Sequence, residues 1–446
     1  MARRDLTEGS VAGHLLRLGL PMVVGVAAVF SVSFADAYFL GQLGTEELAA
    51  ISFTFPVVLT LTSLGIGLSA GATSVVSRAL GRRGEVTVSR LATDSLILSG
   101  IVMILAAALG AAVTRPLFSL LGAEGAVLDM VQDYMLIWFL SLPFLVVPMV
   151  GMGLMRANGE AIAPSLILLA GSLLNVAFAP LLIFGSGPVP ALGVEGAAWA
   201  TLLSRLVMVV AAFFVLIKRD GLLTAARPTW SEFRHSARQV LKVGLPAAGS
   251  NMINPLSISI VTAFLASYGN EVVAGFGVAT RIEALITVPM LALSSAIGPV
   301  AGQNWGRDLD GRTRRAMWQS FVFCVLCGLG LAAVLTLFLD ETVALFTDDS
   351  VVANTARSYL IFVGFTLGGY GVVITASAAL NAIDKALLGL GYTVLRSFVL
   401  YVPLAYGATK LGPAWVVFGA IAIANVVSGL IVFFAALWSA RLKNRD

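Results

Sequence analysis

Twelve long apolar stretches, each ended by turn-forming or charged residues, constrain this chain more than any other feature. They fall near 14–42, 49–77, 91–113, 132–155, 162–184, 193–217, 240–268, 272–302, 317–339, 357–380, 386–409 and 412–438. Stretches of 20 or so apolar residues match the thickness of a bilayer in helical form, and lipid leaves no other way to satisfy their backbone. Of the 446 residues 12% are charged and 58% apolar, with a mean hydropathy of +0.94. A water-soluble chain carries about twice that share of charge. The predicted fold is therefore all-α and integral to the membrane, with twelve spans and little left for a soluble domain. Two Cys and two His supply neither a disulfide framework nor a dedicated metal site, and a net charge of +4 does not imply nucleic acid.

The basic residues orient the spans. Placed against this map, 22 of the 28 Lys and Arg lie on one side, at both termini, in the 219–239 loop and in the alternate short loops; the other side holds Arg115, Arg357 and Lys410. Because Lys and Arg are retained in the cytoplasm, both termini and the central loop are expected there, in a multi-pass protein of the inner (plasma) membrane. Met1–Ser10 is charged and runs into the first apolar stretch without a small-residue cleavage site, so it reads as a retained cytoplasmic end. Arg205, Arg281 and Arg396 fall inside spans.

Sliding the chain over itself until Pro21 falls on Pro246 reveals a repeat. Leu16, Gly19 and Leu20 then fall on Leu241, Gly244 and Leu245; Phe39, Leu40, Gly44 and Glu46 fall on Phe264, Leu265, Gly269 and Glu271; and Gly81-Arg82 falls on Gly306-Arg307. Between 16 and 82 the shift gives 15 identities in 67 positions without a gap. Apolar helices share residues by composition alone, so the weight lies in the coincidence of the helix-entry Pro, the outer Gly-Glu turn and the cytoplasmic Gly-Arg turn. Six spans per copy return the chain to its starting side, which makes the repeat parallel, a pseudo-twofold about the membrane normal. The expected organisation is an N-lobe over 1–218, a cytoplasmic linker over 219–239 and a C-lobe over 240–446. Two such lobes enclosing a mid-membrane cleft are the plan of a transporter rather than a channel, and no filter sequence is present.

Acids inside spans are the expensive residues. Asp36 sits seven residues before the end of the first span, roughly 10 Å along the helix. At that depth a carboxylate must be paired, solvated by a cleft or protonated, which makes Asp36 the candidate coupling group; packing against a neighbouring helix is the plain alternative. Glu283 lies two residues after Arg281, so the two face opposite sides of a helix and each needs another partner. Glu283 either holds a cationic substrate or a proton, or forms a buried ion pair with Arg396 or Arg205. Asn175 before Pro180, and Asn251 and Asn254 beside Pro255, are second-tier polar candidates, since a proline inside a span frees carbonyls one turn back. Phe53, Phe55 and Trp138 are expected as interfacial anchors, Met149, Met152 and Met155 as ordinary packing, and Cys324 and Cys327 as small residues in an apolar helix. No G-x-x-x-x-G-K-[ST] loop occurs, so energy is expected from an ion gradient.

These residues resemble the multidrug and toxic compound extrusion (MATE) transporters, in their DinF-like branch. The segments that carry the likeness are Phe34 to Gly44 (FADAYFLGQLG), Arg281-Ile282-Glu283, Ile183-Phe184-Gly185, Gly193 to Thr201 (GVEGAAWAT) and Gly298 to Gly306 (GPVAGQNWG), spread over both halves. The resemblance implies two six-helix lobes and alternating-access efflux of amphipathic, mostly cationic compounds in exchange for protons or sodium; no enzyme activity and no bound cofactor or metal are expected. It gives Asp36 and Asn175 the coupling-cation site and makes Glu283 the second-lobe acid; Arg281, Asn251 and Asn254 are the further candidates for a substrate or polar site in the second lobe. Many relatives carry an Asp four residues after that Asn, where this chain has Ala179. One carboxylate is a poor oxygen cage for sodium yet suffices for a proton, so proton coupling is favoured. The expected partners are drug-like molecules and lipid, with the chain acting as a monomer. A lipid-linked precursor flippase of the same superfamily is the alternative, for which Arg205, Arg281 and Arg396 would serve. A membrane transferase would need catalytic company for His14 or His235, and neither has it.

Overall fold

A computed structural model describes residues 5–82, 85–226 and 228–441. Arg3, Arg4, Arg83, Arg227, Lys443 and Arg445, which the charge map used, lie outside the described residues. The first half consists of α1 (Val11–Gly41), α2 (Thr45–Gly81), α3 (Glu85–Leu120), α4 (Gly125–Ala157), α5 (Ile162–Phe184) and α6 (Gly193–Phe214), the last extended by a π-helical turn, Val215–Arg219. The second comprises α7 (Trp230–Leu265), α8 (Asn270–Ile286), α9 (Val288–Gly306), α10 (Asp310–Leu337), the short α11 (Leu339–Ala344), α12 (Ser350–Gly364) and α13 (Leu367–Ala382), followed by α14 (Ala386–Val394), a π-helical stretch Leu395–Tyr401, α15 (Val402–Thr409) and α16 (Ala414–Ser439).

Among the described residues, nine helices are individually long and apolar enough to cross a bilayer, counting the run Ala386–Thr409 as one, and two bent pairs add two more. The remaining span is α7, a 36-residue helix whose membrane half is diluted by Ser250, Asn251, Asn254, Pro255, Ser257 and Ser259. Two segments read as single spans from hydropathy are bent. Asn270–Ile286 meets Val288–Gly306 at 44°, where Pro289 near the start of α9 has no N–H to continue the ladder. Ser350–Gly364 meets Leu367–Ala382 at 59°, in a stretch holding Gly364, Gly368 and Gly369.

The chain forms two compact units. In one, spanning Val24–Ala248, α4 packs on α2, α3 and α6 and is the buried centre. In the other, made of Asp5–Val23 and Gly249–Asp446, α13 packs on α9, α10 and α16 while α12 lies on α8. The division cuts α1 after Val23 and α7 after Ala248, positions that the repeat shift superposes, each two residues beyond an equivalent proline, Pro21 and Pro246. The packing obeys the shift as well: Gly19 of α1 faces Ala296 of α9, and Gly244 of α7 packs against Gly67 and Gly71 of α2, position 71 being the equivalent of 296.

The α2–α7 crossing is a backbone contact. A Cβ on Gly71 would overlap the carbonyl oxygen of Val240, and one on Gly67 that of Gly244. Backbone cannot swing aside, so Gly71→Leu should lower stability by about 1–3 kcal/mol. The check is a fall in the thermal midpoint of purified protein, followed by intrinsic fluorescence; a midpoint equal to wild type would show that the crossing is looser than described.

The 219–239 segment is fastened to the first unit. Asp94 is buried and takes Arg90 on one carboxylate oxygen and the Ser236 hydroxyl on the other at 2.7 Å, while Arg90 reaches the Ala226 carbonyl at 2.5 Å. The Thr224 amide donates to Thr93 Oγ1 at 3.0 Å, and Arg219 pairs with Glu160 at 2.8 Å. Glu160 in turn accepts the Ile162 and Ala163 amides at the start of α5, satisfying donors that a helix N-terminus leaves open.

Candidate functional site

Each unit holds one polar cluster within its spans. In the first, Tyr134, Trp138 and Ser141 follow each other at spacings of four and three on α4 and so share one helix face. Thr201 and Arg205 stand one turn apart on α6. The Arg205 guanidinium donates to the Ser141 hydroxyl and lies 5.5 Å over the Trp138 ring. Asp36, in the C-terminal half of α1, lies in the electrostatic field of Arg205 and Tyr134. Among the described residues its carboxyl forms no ion pair, so its charge is balanced at a distance rather than clamped. Asn175 on α5 donates from Nδ2 to Thr201 Oγ1 at 3.2 Å, and its buried Oδ1 has no hydrogen-bond partner among the described residues. Ala179 is fully buried with Leu40, Ile183, Ala197 and Ala200, so apolar side chains surround this position one turn after Asn175.

The second cluster centres on Arg396, in the π-helical stretch. Its Nε and Nη2 donate to Asn425 Oδ1 at 3.1 and 2.9 Å, and its Nη1 donates to Asn254 Oδ1 at 3.0 Å. The guanidinium lies 4.0 Å over Tyr370 and 5.3 Å over Tyr401, which supplies cation–π attraction in place of water. Glu283, half-buried on α8, accepts the Tyr359 hydroxyl at 2.5 Å and lies in the field of Arg396. Tyr359 is itself wedged edge-on between Phe276 and Phe418, both at 5.3 Å. π-helical turns recur at functional sites because they re-aim side chains that a regular helix would point elsewhere.

Of the residues singled out from sequence, Asp36 and Asn175 lie in one unit, and Glu283 and Asn254 meet Arg396 in the other. Arg281 points outward and is exposed, and Asn251 is exposed on α7 with a partner of its own. Trp138 is not an interfacial anchor: it is 2% exposed, buried on the inward face of α4 beneath Arg205. Hydropathy placed it near a span end without showing which way it faced. Phe55, 60% exposed, does face outward. Cys324 is buried and shares a hydrogen bond with Thr375 at 3.3 Å, and both thiols are free.

Sequence reasoning missed Tyr134, Thr201, Ser141, Tyr359 and Asn425. A signal existed for two of them, because the shift that carries Pro21 onto Pro246 also carries Tyr134 onto Tyr359. The repeat thus places one tyrosine in each unit beside an acid and an arginine. The acids and arginines are not equivalent under the shift, since Glu283 falls on Val58 and Arg396 on Gly171.

A helical, two-repeat membrane protein with an ionisable cluster inside the spans of each repeat belongs in class to the membrane transporters. The family profile described as MatE matches residues 21–181 and again 246–407, so that its two matches begin at the equivalent prolines Pro21 and Pro246. The chain belongs to the MATE family; it is a multi-pass membrane transporter, not an enzyme, with the twelve-helix, two-lobe fold of that family. It is similar, at 34% identity over 97% of its length and 96% of the relative's, to a protein of Shewanella oneidensis named FAD transporter. It is 28% identical to the multidrug export protein MepA of Staphylococcus aureus, over 81% of this chain and 80% of the other. Among solved structures, an outward-facing multidrug resistance MATE transporter of the MOP superfamily matches with a TM-score of 0.93 at 27% identity, over 99% of this chain and 98% of that one. The Vibrio cholerae MATE transporter VcmN in its bent form matches with 0.89 at 26% identity, over 97% and 98%.

Proposed function

We propose that this protein exports amphipathic, mostly cationic organic molecules across the inner membrane in exchange for protons, with Asp36 as the group that takes up and releases the proton and both termini in the cytoplasm. The observation that carries this reading is the state of Asp36: a carboxyl deep in a span, near Tyr134 and Arg205 yet in no ion pair among the described residues. An acid clamped by a guanidinium could not change charge cheaply; one balanced at a distance can. The apolar surroundings of Ala179 leave few oxygens for a sodium ion, which demands several. The exposed Trp230, Trp318 and Trp438 lie towards the ends assigned to the cytoplasm and Trp415 towards the opposite one, as an aromatic belt requires.

In the cycle, Asp36 gains a proton while its surroundings are open to the outside. Arg205 then loses the charge it faced, the hydrogen bonds around Ser141 and Asn175 rearrange, and substrate affinity falls. Release of the proton to the cytoplasm restores the carboxylate and with it the affinity for a cation. One charge moved through the membrane field supplies about 2.3 kcal/mol per 100 mV, enough for more than a tenfold substrate gradient.

A second reading is favoured by one observation. Arg205 and Arg396 are cations inside spans without a direct carboxylate partner among the described residues, and the relative from Shewanella oneidensis is named FAD transporter. On that reading the exported molecule is an anionic dinucleotide. A flippase is less favoured, since Arg281, the third cation that it would use, is exposed.

Purified protein in vesicles, given a pH gradient and a sodium gradient separately, tests both readings, with ethidium and FAD as probes. Ethidium export under the pH gradient alone is expected; FAD export without ethidium export would select the second reading. Ala179→Asp, which restores the second carboxylate, should add a sodium-driven component absent from wild type. Sodium-driven transport by the unmodified protein would overturn the proton assignment.

A further inference from the structure

The segment GPVAGQNWG, which carries part of the family resemblance, takes no part in either polar cluster. Its Gln303 and Asn304 instead grip the chain ahead of α1. Gln303 Oε1 accepts the Leu6 amide at 3.0 Å and Asn304 Nδ2 donates to the Leu6 carbonyl at 3.1 Å, so both backbone groups of one residue are read by adjacent side chains. Arg312 braces the arrangement, donating to Asn304 Oδ1 at 2.9 Å and to the Gly9 carbonyl at 3.0 Å. Arg307 holds Asp5 at 3.1 Å and also the Thr7 hydroxyl. Leu6 and Thr7 are buried. Buried backbone groups matched this completely form a socket for the Asp5–Gly9 strap, not a passing contact.

The consequence lies in α1. Up to Val23 this helix belongs to the unit that contains the socket, and from Val24 onward, Asp36 included, to the other. Its inner half lies on Ala296 at Gly19, and its outer half lies against Ser165 and Leu168 at Gly25. The 31-residue helix is therefore held at its inner end by a built anchor and carries the candidate coupling acid at its outer end. Without an anchor, a displacement caused by a charge change at Asp36 would be spent sliding α1 along its length. With one, it works against a fixed end of the helix.

We infer that the Gln303–Asn304–Arg312 socket, by fixing the strap throughout the transport cycle, gives α1 a fixed inner end against which a charge change at Asp36, on the same helix, acts; these three are positioning residues for transport. The inference rests on the proposed coupling role of Asp36, and its test has an arm that needs no transport. In the first arm, vesicles carrying Asn304→Ala with Arg312→Gln, or a chain lacking residues 2–9, should show turnover reduced about tenfold, the scale of one to two net hydrogen bonds, with the KM for substrate unchanged. Leu6→Cys and Gln303→Cys, bridged by a short bifunctional thiol reagent in a background free of Cys324 and Cys327, should keep at least half the turnover. In the second arm, Leu20→Cys on the exposed face of the inner half of α1 is labelled with a maleimide in detergent. Asp36→Asn should leave the labelling rate unchanged when the socket is intact and alter it severalfold when Asn304 and Arg312 are replaced. Full turnover by the strapless chain, loss of transport on bridging, or labelling indifferent to the socket would each overturn the inference. Failure of wild-type transport with the labelling result intact would remove the export reading and leave the anchor standing.

Discussion

Asp36→Asn should abolish pH-driven substrate efflux, lowering the initial rate in vesicles by about 100-fold or more while the protein still folds and inserts. The substitution is nearly isosteric and removes the charge, so it fixes the cluster in the state that a bound proton would create. On the proposed cycle the gradient does its work through Asp36, so an effect on rate at least as large as that of a lost general acid–base contact is expected. Substrate binding should persist in weakened form, because Arg205, Ser141 and Trp138 keep their mutual contacts whatever the state of the acid. The measurement pairs dye efflux under an imposed pH gradient with equilibrium binding of the same dye. Efflux equal to wild type would show that Asp36 is a packing acid and that the coupling group lies elsewhere, with Glu283 the next to be tested.

Arg396→Leu should be the most damaging substitution for stability, by about 3 kcal/mol. It strips Asn425 Oδ1 of two donors and Asn254 Oδ1 of one, and hydrogen bonds from a charged donor contribute more than neutral ones. It also leaves the half-buried Glu283 without the field of Arg396, an uncompensated charge in a medium that solvates it poorly. The second effect separates from the first in a double-mutant cycle. Glu283→Gln placed on Arg396→Leu should restore part of the loss, since removing a charge whose partner is already gone costs less than removing it alone. Thermal midpoints of the four proteins in one detergent give the coupling. Strict additivity would mean that Arg396 and Glu283 are independent, and that Tyr359, which bonds Glu283 at 2.5 Å, balances the acid by itself.

The fold was largely legible in the sequence. Hydropathy is a local property, so twelve spans could be marked without knowing any neighbour, and bent pairs at Pro289 and near Gly364 altered their course but not their place in the order. The repeat was legible for a related reason: the shift that superposes Pro21 on Pro246 preserves turn residues, and turns are fixed by the backbone conformations that Gly and Pro permit. The candidate site was half legible. An acid in a span announces itself by cost, as Asp36 and Glu283 did, whereas a tyrosine, serine or threonine in a helix costs little and gives no signal. Tyr134 and Thr201 therefore stayed hidden among ordinary span residues until α4 and α6 were seen side by side.

By itself the sequence determined how often the chain crosses the membrane, that it does so twice in the same pattern, and which carboxyls stand where lipid would otherwise be, because each follows from the free energy of moving one residue or one run of residues out of water. Only the tertiary structure decided who answers those charges. Whether Trp138 looks at lipid or at Arg205, whether Arg396 meets Glu283 directly or instead sits over the rings of Tyr370 and Tyr401, and whether Leu6 ends in Gln303 and Asn304 all depend on the rotation of helices about their axes. That rotation is set by packing between segments as much as 300 residues apart, as in the Arg307–Thr7 contact, and no pattern along the chain records it.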